Sequence, residues 1–536
     1  MSSPSLAETT AGLRPRARSI DVYRAVWRWH FYAGLLVLPF LLLLAITGAI
    51  YLFHHEIDAY VYRDLRSVPA STSTMQAPSA IADAAVKAHP GTVFRYVPPA
   101  SGTASAQVGV RDAAGKHVVY VNPYTAQVLG TMVERGGIVW LVRELHGLSY
   151  FGPIANGMIE VAAGWTILLV LTGIYLWWPR GQKGGVVSVR GAPRQRVFWR
   201  DMHAVTGVFA AFFILFLALT GMPWSLIWGA KVNQWANGNN FGYPSGVRVN
   251  VPMSKERLAD GQQTTWSLEQ ARMPMSMTGQ AAPDVPPGTG GTPAAPAAAA
   301  VSAGPHAAHD ASHAGMTAHA GHVGPGAALA QTAASDDEHA GHGGGSTPPA
   351  PASAVPAGPA QAPIGLDAAV AAFTRLGMAP GYAIAMPSSR TGVYTASAYP
   401  NDLSKQRVVH LDQYRGTPLI DMSYADYGPL GKGLEWGINV HMGQEFGLVN
   451  QLLMLAVCLA IVLMCVSGAT MWWKRRPSGA LGVPQMPADP KVLRTVVVLL
   501  AIGGVIFPLV GASLLVMLAI DQVWSRRQRT ATGEPG

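Results

Sequence analysis

Four runs of apolar residues, 29–53, 154–178, 203–228 and 446–473, each exceed the roughly 20 positions that an α-helix needs to cross about 30 Å of hydrocarbon. A fifth run, 496–520, carries Pro508 near its middle, which fits either one kinked helix or a re-entrant hairpin. Between the runs the pattern changes. Residues 79–89 put Ile81, Ala84, Ala85 and Ala88 at helical spacing, and 107–110 and 117–122 alternate like paired strands around a turn at Gly115. Residues 366–376 and 394–411 repeat that scheme. The pattern predicts a membrane all-α bundle of four core transmembrane helices plus a fifth C-terminal apolar segment, with two small α+β domains outside it. Residues 270–363 are rich in Ala, Gly, Pro and Ser with almost no bulky apolar side chains, which reads as a disordered linker inserted before the second small domain.

The chain also resembles itself. His30 is followed by Gly34 and by Thr47-Gly48, and His203 is followed at the same offsets by Gly207 and Thr220-Gly221. His146 precedes Trp177-Trp178 by 31 positions and His441 precedes Trp472-Trp473 by 31, with Thr172-Gly173 and Ser467-Gly468 five residues before each tryptophan pair. Spans one and three are therefore one unit, and spans two and four another, giving an internal duplication of the form span–domain–span. Matched spans cross in the same direction, so the halves are expected to be related by a pseudo-two-fold axis along the membrane normal.

Composition and charge settle class and sidedness. Of 536 residues, 49% are hydrophobic and only 12% charged, about half the charged fraction of a soluble domain. The net charge of +9 is read against topology rather than as a nucleic-acid surface, because basic residues of membrane proteins collect in cytoplasmic loops. Arg14, Arg16, Arg18, Arg24 and Arg28 precede the first span, Arg180, Lys183, Arg190, Arg194, Arg196 and Arg200 join the second to the third, and Lys474, Arg475 and Arg476 follow the fourth. The implied order is a cytoplasmic N-terminus 1–28, span 29–53, outer domain 54–145, span 154–178, cytoplasmic loop 179–202 and span 203–228. An outer segment 229–269, linker 270–363, outer domain 364–440, span 446–473, cytoplasmic loop 474–495 and the fifth run 496–520 follow. Arg526, Arg527 and Arg529 obey the rule if the fifth run is a hairpin. Cys458 and Cys465, the only cysteines, exclude a disulfide scaffold and a thiolate-held cluster, and their seven-residue separation on one helix suits packing.

The candidate chemistry lies in histidines. The repeat makes His30 the mate of His203 at the inner ends of spans one and three, and His146 the mate of His441 just before the outer ends of spans two and four. Two neutral imidazoles facing across an axis inside a helix bundle are what a bis-histidine b-type haem needs, so two haems b are expected. Gly34 and Gly207, one turn along the same faces, leave room for a flat macrocycle. Gly147 and Gly443 are the corresponding, weaker pattern at the outer pair. His54 and His55 could replace one outer ligand, but polar termination of the first span explains them better. A third group, His306, His309, His313, His319, His322, His339 and His342, lies in the linker, where spacings of three allow weak Cu or Zn binding.

The stretches Trp27-Arg28-Trp29-His30-Phe31-Tyr32-Ala33-Gly34, Trp199-Arg200-Asp201-Met202-His203 and His441-Met442-Gly443-Gln444-Glu445-Phe446-Gly447, the last leading to Met471-Trp472-Trp473-Lys474-Arg475-Arg476-Pro477, resemble the PepSY-associated transmembrane family. This is a family of iron-regulated inner-membrane proteins that includes ferric-siderophore reductases. The resemblance implies that the two outer domains are PepSY-like and periplasmic, and that the chain is a multi-pass protein of a bacterial inner membrane. It further implies a haem-dependent metalloreductase passing electrons outward to a periplasmic ferric siderophore or other metal complex. The chain departs from the usual pattern at Leu145-His146-Gly147, where a basic residue commonly follows the histidine. With no G-x-G-x-x-G after a strand and no P-loop, the expected electron donor is a quinol or a separate flavoreductase. The alternatives are a cupric reductase, raised by the His-rich linker, and a non-enzymatic scaffold or metal-binding protein. A transporter of the metal itself is disfavoured because the spans are read as free of an acidic cation path.

Overall fold

The computed structural model describes residues 13–180, 185–238, 251–261, 264–276, 362–477, 482 and 490–532. In chain order, α1 (Leu13–Tyr51) leads through α2 (Pro78–Ala88) into strands β1 (Thr92–Val97), β2 (Ala106–Arg111), β3 (Lys116–Val121) and β4 (Val128–Val133). Next come α3 (Ile138–His146), α4 (Pro153–Trp177), α5 (Arg196–Gly221), α6 (Trp228–Gly238), β5 (Met253–Arg257) and β6 (Arg272–Pro274). The remaining elements are α7 (Gly365–Arg375), β7 (Ala383–Ala385), β8 (Val393–Ala398), β9 (Arg407–Asp412), β10 (Pro418–Ser423), α8 (Pro429–His441), α9 (Leu448–Arg475), α10 (Pro490–Ile506) and α11 (Pro508–Thr532).

Four helices are long and apolar enough to cross a membrane: Val22–Tyr51 within α1, Pro153–Trp177, Arg196–Trp224 and Leu448–Arg475. Pro223, in a 3-10 turn, ends the third seven residues after Phe216, so this span lies earlier in the chain than hydropathy alone places it. Each helix packs on two others, in the cyclic order α1, α4, α5, α9, which sets α1 diagonally across from α5. The outer faces keep Phe209, Phe212, Val449 and Leu459 exposed, as a surface in contact with lipid requires. Cys458 and Cys465 are free and buried in the bundle core with Ala45, Ala210 and Ile214.

The fifth apolar run is a hairpin of two helices, not one kinked span. Pro508 cannot continue the backbone ladder of α10, and the chain reverses at Phe507. Gly504 and Gly511 make the reversal tight: a Cβ on Gly504 would stand 2.6 Å from Cα of Gly511. Leu500, Phe507, Val510 and Leu514 pack with Trp29, Val37 and Trp165, and Trp165 donates its indole N–H to Ser513 Oγ at 2.7 Å.

The two expected α+β domains form one body. All eight long-range strands make a single antiparallel sheet in the order β10-β9-β8-β7-β1-β2-β3-β4, joined at its centre by Arg95 opposite Ala385 and Tyr96 opposite Ile384. Ile81, Ala85 and Tyr96 of the first half share one core with Phe373, Ile384 and Leu411 of the second. The physical reason is the edge problem: each four-stranded half would expose an unpaired inner edge, and β1 and β7 satisfy one another. The helices are tied as well, since Asp367 at the start of α7 accepts from Ser79 N (2.8 Å) and Ser79 Oγ (2.6 Å) in the first turn of α2, which has no side-chain cap of its own.

The expected linker begins later than residue 270. Arg272–Pro274 pairs with β5, and Ala271 and Ser276 are buried. Ser276 N donates to Thr391 O at 2.9 Å, and its hydroxyl accepts from Gln413 N at 2.9 Å. Where the described chain resumes, Ile364 N donates to the carbonyl of the same Gln413 at 2.8 Å. The linker histidines lie outside the described residues.

Candidate functional site

His30 and His203 sit on diagonal helices of the bundle. His30 on α1 and His203 on α5 are half-buried and within electrostatic reach of each other. Each has its Nδ1 bound by the helix beside it. His30 Nδ1 is 2.9 Å from Thr172 Oγ1 on α4, and His203 Nδ1 is 3.2 Å from Ser467 Oγ and 3.1 Å from the Met464 carbonyl on α9. Each ring also lies against the glycine that follows its hydroxyl partner. An added Cβ at Gly173 would stand 3.4 Å from His30 Cε1, and one at Gly468 3.7 Å from His203 Cε1. Near Gly34 a Cβ would meet nothing within 4 Å, so that face of α1 opens on space; at Gly207 the Met464 methyl is 3.3 Å away.

The outer histidines close two short helices. His146 is the last residue of α3 and His441 the last of α8, each followed by a tight turn into a span. The turns place Leu148 at φ 53° and Gly443 at φ 75°, the left-handed region, at matching positions two residues past each histidine. His146 Nδ1 is 2.9 Å from Thr47 Oγ1 on α1, and His441 Nδ1 is 2.7 Å from Thr220 Oγ1 on α5. Burial lowers the His146 imidazole to about 4 and, helped by electrostatic repulsion from the His146 ring, the His441 imidazole to about 3. Both rings are neutral at neutral pH, the form that binds a metal.

One correction concerns the small residues of the outer pair. A Cβ at Gly48 would stand 3.4 Å from His146 Cε1 and one at Gly221 3.7 Å from His441 Cε1, so these two glycines support the rings. Gly147 instead caps α3, its carbonyl accepting from Asn156 Nδ2 at 2.8 Å, and Gly443 is hemmed by Leu52 at 2.8 Å. His54 and His55 stay out of the site. His54 stacks on Tyr51 and bonds its carbonyl at 2.8 Å, and His55 Nε2 reaches Asn401 Oδ1 at 3.2 Å.

The four hydroxyl residues are the Thr-Gly and Ser-Gly positions that serve as register marks in the repeat. Their bonding role is not visible in sequence, where Thr172 stands 142 positions from His30 and Thr220 stands 221 from His441. Their recurrence inside apolar spans is the signal that points to them. No described residue hydrogen-bonds Nε2 of any of the four histidines, so all four rings present a free nitrogen.

A model of the PepSY-associated TM region matches residues 27–475. The chain belongs to this family. The match takes in all four histidines, their hydroxyl partners and the sheet. No curated protein matches the chain. The PepSY-associated TM spans are not free of acid, contrary to the expectation used against a cation path. Glu160 lies fully buried in α4, where its carboxylate accepts from the backbone N–H groups of Ile227 (2.8 Å) and Trp228 (3.2 Å). It stabilises the start of α6, a structural use of the charge. At the start of α5, buried Asp201 binds Arg190 at 2.7 Å and Arg200 at 2.8 Å, fixing the loop that leads into the His203 helix.

Proposed function

We propose that this protein is a di-haem b reductase of a bacterial inner membrane, carrying electrons from the cytoplasmic side to a periplasmic ferric siderophore. The observation that carries this is the shared plan of the four histidines: half-buried, within electrostatic reach in two pairs, Nδ1 held by Thr or Ser, and Nε2 without a described hydrogen-bond partner. Bis-imidazole haem sites in bundles use facing helices, and a hydrogen bond at Nδ1 fixes the ring so that Nε2 aims at the iron. Bound there, haem b supplies one-electron iron chemistry.

The residues' part in this is positional. His30 and Thr47 lie 17 residues apart on one continuous helix, about 25 Å of rise along its path, so the two histidine levels are separated by most of the hydrocarbon thickness. The basic residues beside the spans of α1, α4 and α9 support a cytoplasmic side for the His30–His203 level, by the positive-inside rule. The sheet domain then lies in the periplasm, next to the His146–His441 level. For the substrate, reduction of Fe(III) to Fe(II) weakens a site built of hard oxygen donors and releases the metal. A quinol or a separate flavoreductase supplies the electrons.

The test has two arms. Pyridine haemochrome analysis of the purified protein should give two haems per chain. His30→Ala and His203→Ala should each remove one and the same haem, and His146→Ala and His441→Ala the other. Protein in liposomes, reduced with dithionite, should then be re-oxidised faster by an external ferric siderophore than by buffer. Absence of haem ends the proposal. Haem with re-oxidation by Cu(II) alone makes the protein a cupric reductase, the activity that the linker histidines favour, and reactivity with neither favours a scaffold.

A further inference from the structure

The sheet domain holds a second histidine cluster, away from the bundle. His89 caps the C-terminus of α2, Asp112 begins the turn between β2 and β3, and His117 is the second residue of β3. His89 Nε2 is 2.9 Å from Asp112 Oδ2 and 3.0 Å from His117 Nδ1, and His117 Nδ1 is 3.5 Å from the same carboxylate oxygen. We propose that these three side chains form a binding site for a borderline divalent ion of the Zn(II) and Cu(II) class.

Geometry and chemistry both carry this. Three ligands around an ion at about 2.0–2.1 Å in a tetrahedral site stand about 3.3 Å from one another, and the three separations here bracket that value. Two imidazoles and one carboxylate are a donor set for such ions. The carboxylate is already oriented: Asp112 Oδ1 accepts from Ala114 N (2.8 Å) and Gly115 N (2.9 Å), which leaves Oδ2 turned to the histidines. All three residues are half-buried, so the remaining coordination positions are open to water or a metal complex. The nearest lysine on the strand, Lys116, is engaged elsewhere, over the Phe94 ring and toward Glu134.

The other half of the sheet supplies an internal comparison. Arg407 occupies on β9 the position of His117 on β3: His117 pairs with Val110 and Arg407 with Ala398, and the next residues, Val118 and Val408, face Met132 and Met422. Arg407 Nη1 donates at 2.7 Å to the carbonyl of Leu376, the residue that caps α7 as His89 caps α2. Where the second half places a permanent cation, the first half gathers two imidazoles and a carboxylate, the groups that would hold an exchangeable one.

The site is tested in the full-length holoprotein with the seven linker histidines changed to alanine, titrated with ZnCl2 by calorimetry. About one equivalent should bind, and Asp112→Asn and His117→Arg should each weaken binding about ten-fold or more. His117→Arg copies the arrangement of the second half and should leave the circular dichroism melt and the haem content unchanged. The Cu(II) form should show two-nitrogen coupling in its EPR spectrum, reduced to one by His117→Arg. Absence of saturable Zn(II) binding, or binding indifferent to His117→Arg, overturns the site; neither result bears on haem.

Discussion

Thr47, Thr172, Thr220 and Ser467 are small polar residues inside apolar helices, and each spends its hydroxyl twice. Thr172 Oγ1 donates to the Leu168 carbonyl at 2.7 Å within its own helix and lies 2.9 Å from His30 Nδ1. A hydroxyl has one proton, so with that proton on the carbonyl it accepts from the imidazole, which places the ring proton on Nδ1 and the lone pair on Nε2. The same bonding holds for Thr47 with Leu43 and Thr220 with Phe216. On the proposed di-haem reading, Thr172→Val, which keeps the shape and removes the oxygen, should loosen haem at the His30–His203 pair about ten-fold, and Thr220→Val should do so at the His146–His441 pair. Haem retained per chain through dilution in detergent, compared between the two variants, checks this. Equal loss at both levels from either variant would contradict it. The histidines themselves were legible because residue type and repeat spacing sufficed to single them out. Their hydroxyl partners lie on neighbouring helices, and only packing brings them together.

At the scale of elements, the local signals of strand and helix were readable and their assembly was not. Residues 107–110, 117–122 and 366–376 lie within or overlap β2, β3 and α7 because alternation and helical spacing are written in neighbouring residues. The pairing of β1 with β7 has no such trace: β7 is three residues long and meets a strand from the other half of the chain. Within the second half, His410 of β9 is buried between β8 and β10; its ring contacts Thr395 Oγ1 at 2.8 Å, and burial lowers its pKa to about 4. The unfolded chain has the usual value near 6.5, so below that pH it binds a proton the folded strand refuses. The stability tied to His410 is therefore complete above about pH 6.5 and is lost as pH falls toward 4, by on the order of 1–3 kcal/mol. Thermal melts of wild type and His410→Gln at pH 7 and pH 5 should converge on acidification, the variant losing less. Parallel curves would show that the ring does not titrate in this interval.

At the scale of the whole molecule, two systems join the halves of the chain: the bundle, where α1 packs on α9 and α4 on α5, and a continuous sheet outside it. Every residue named in either system lies outside 277–361. Replacing 277–361 with a few Gly and Ser residues should accordingly leave the melting temperature and the haem content per chain unchanged, as measured side by side with wild type. A fall in either would assign that segment a part in the fold. The two ends of the segment are held by one residue, Gln413, whose N–H donates to Ser276 and whose carbonyl accepts from Ile364. In a polymer loop with pinned ends, each doubling of length costs only about 0.6 kcal/mol. Ser276, Gln413 and Ile364 thus form a fixed socket: what joins Ser276 to Ile364 can change in length at little cost to the bundle and the sheet, and selection on those two need not act on it.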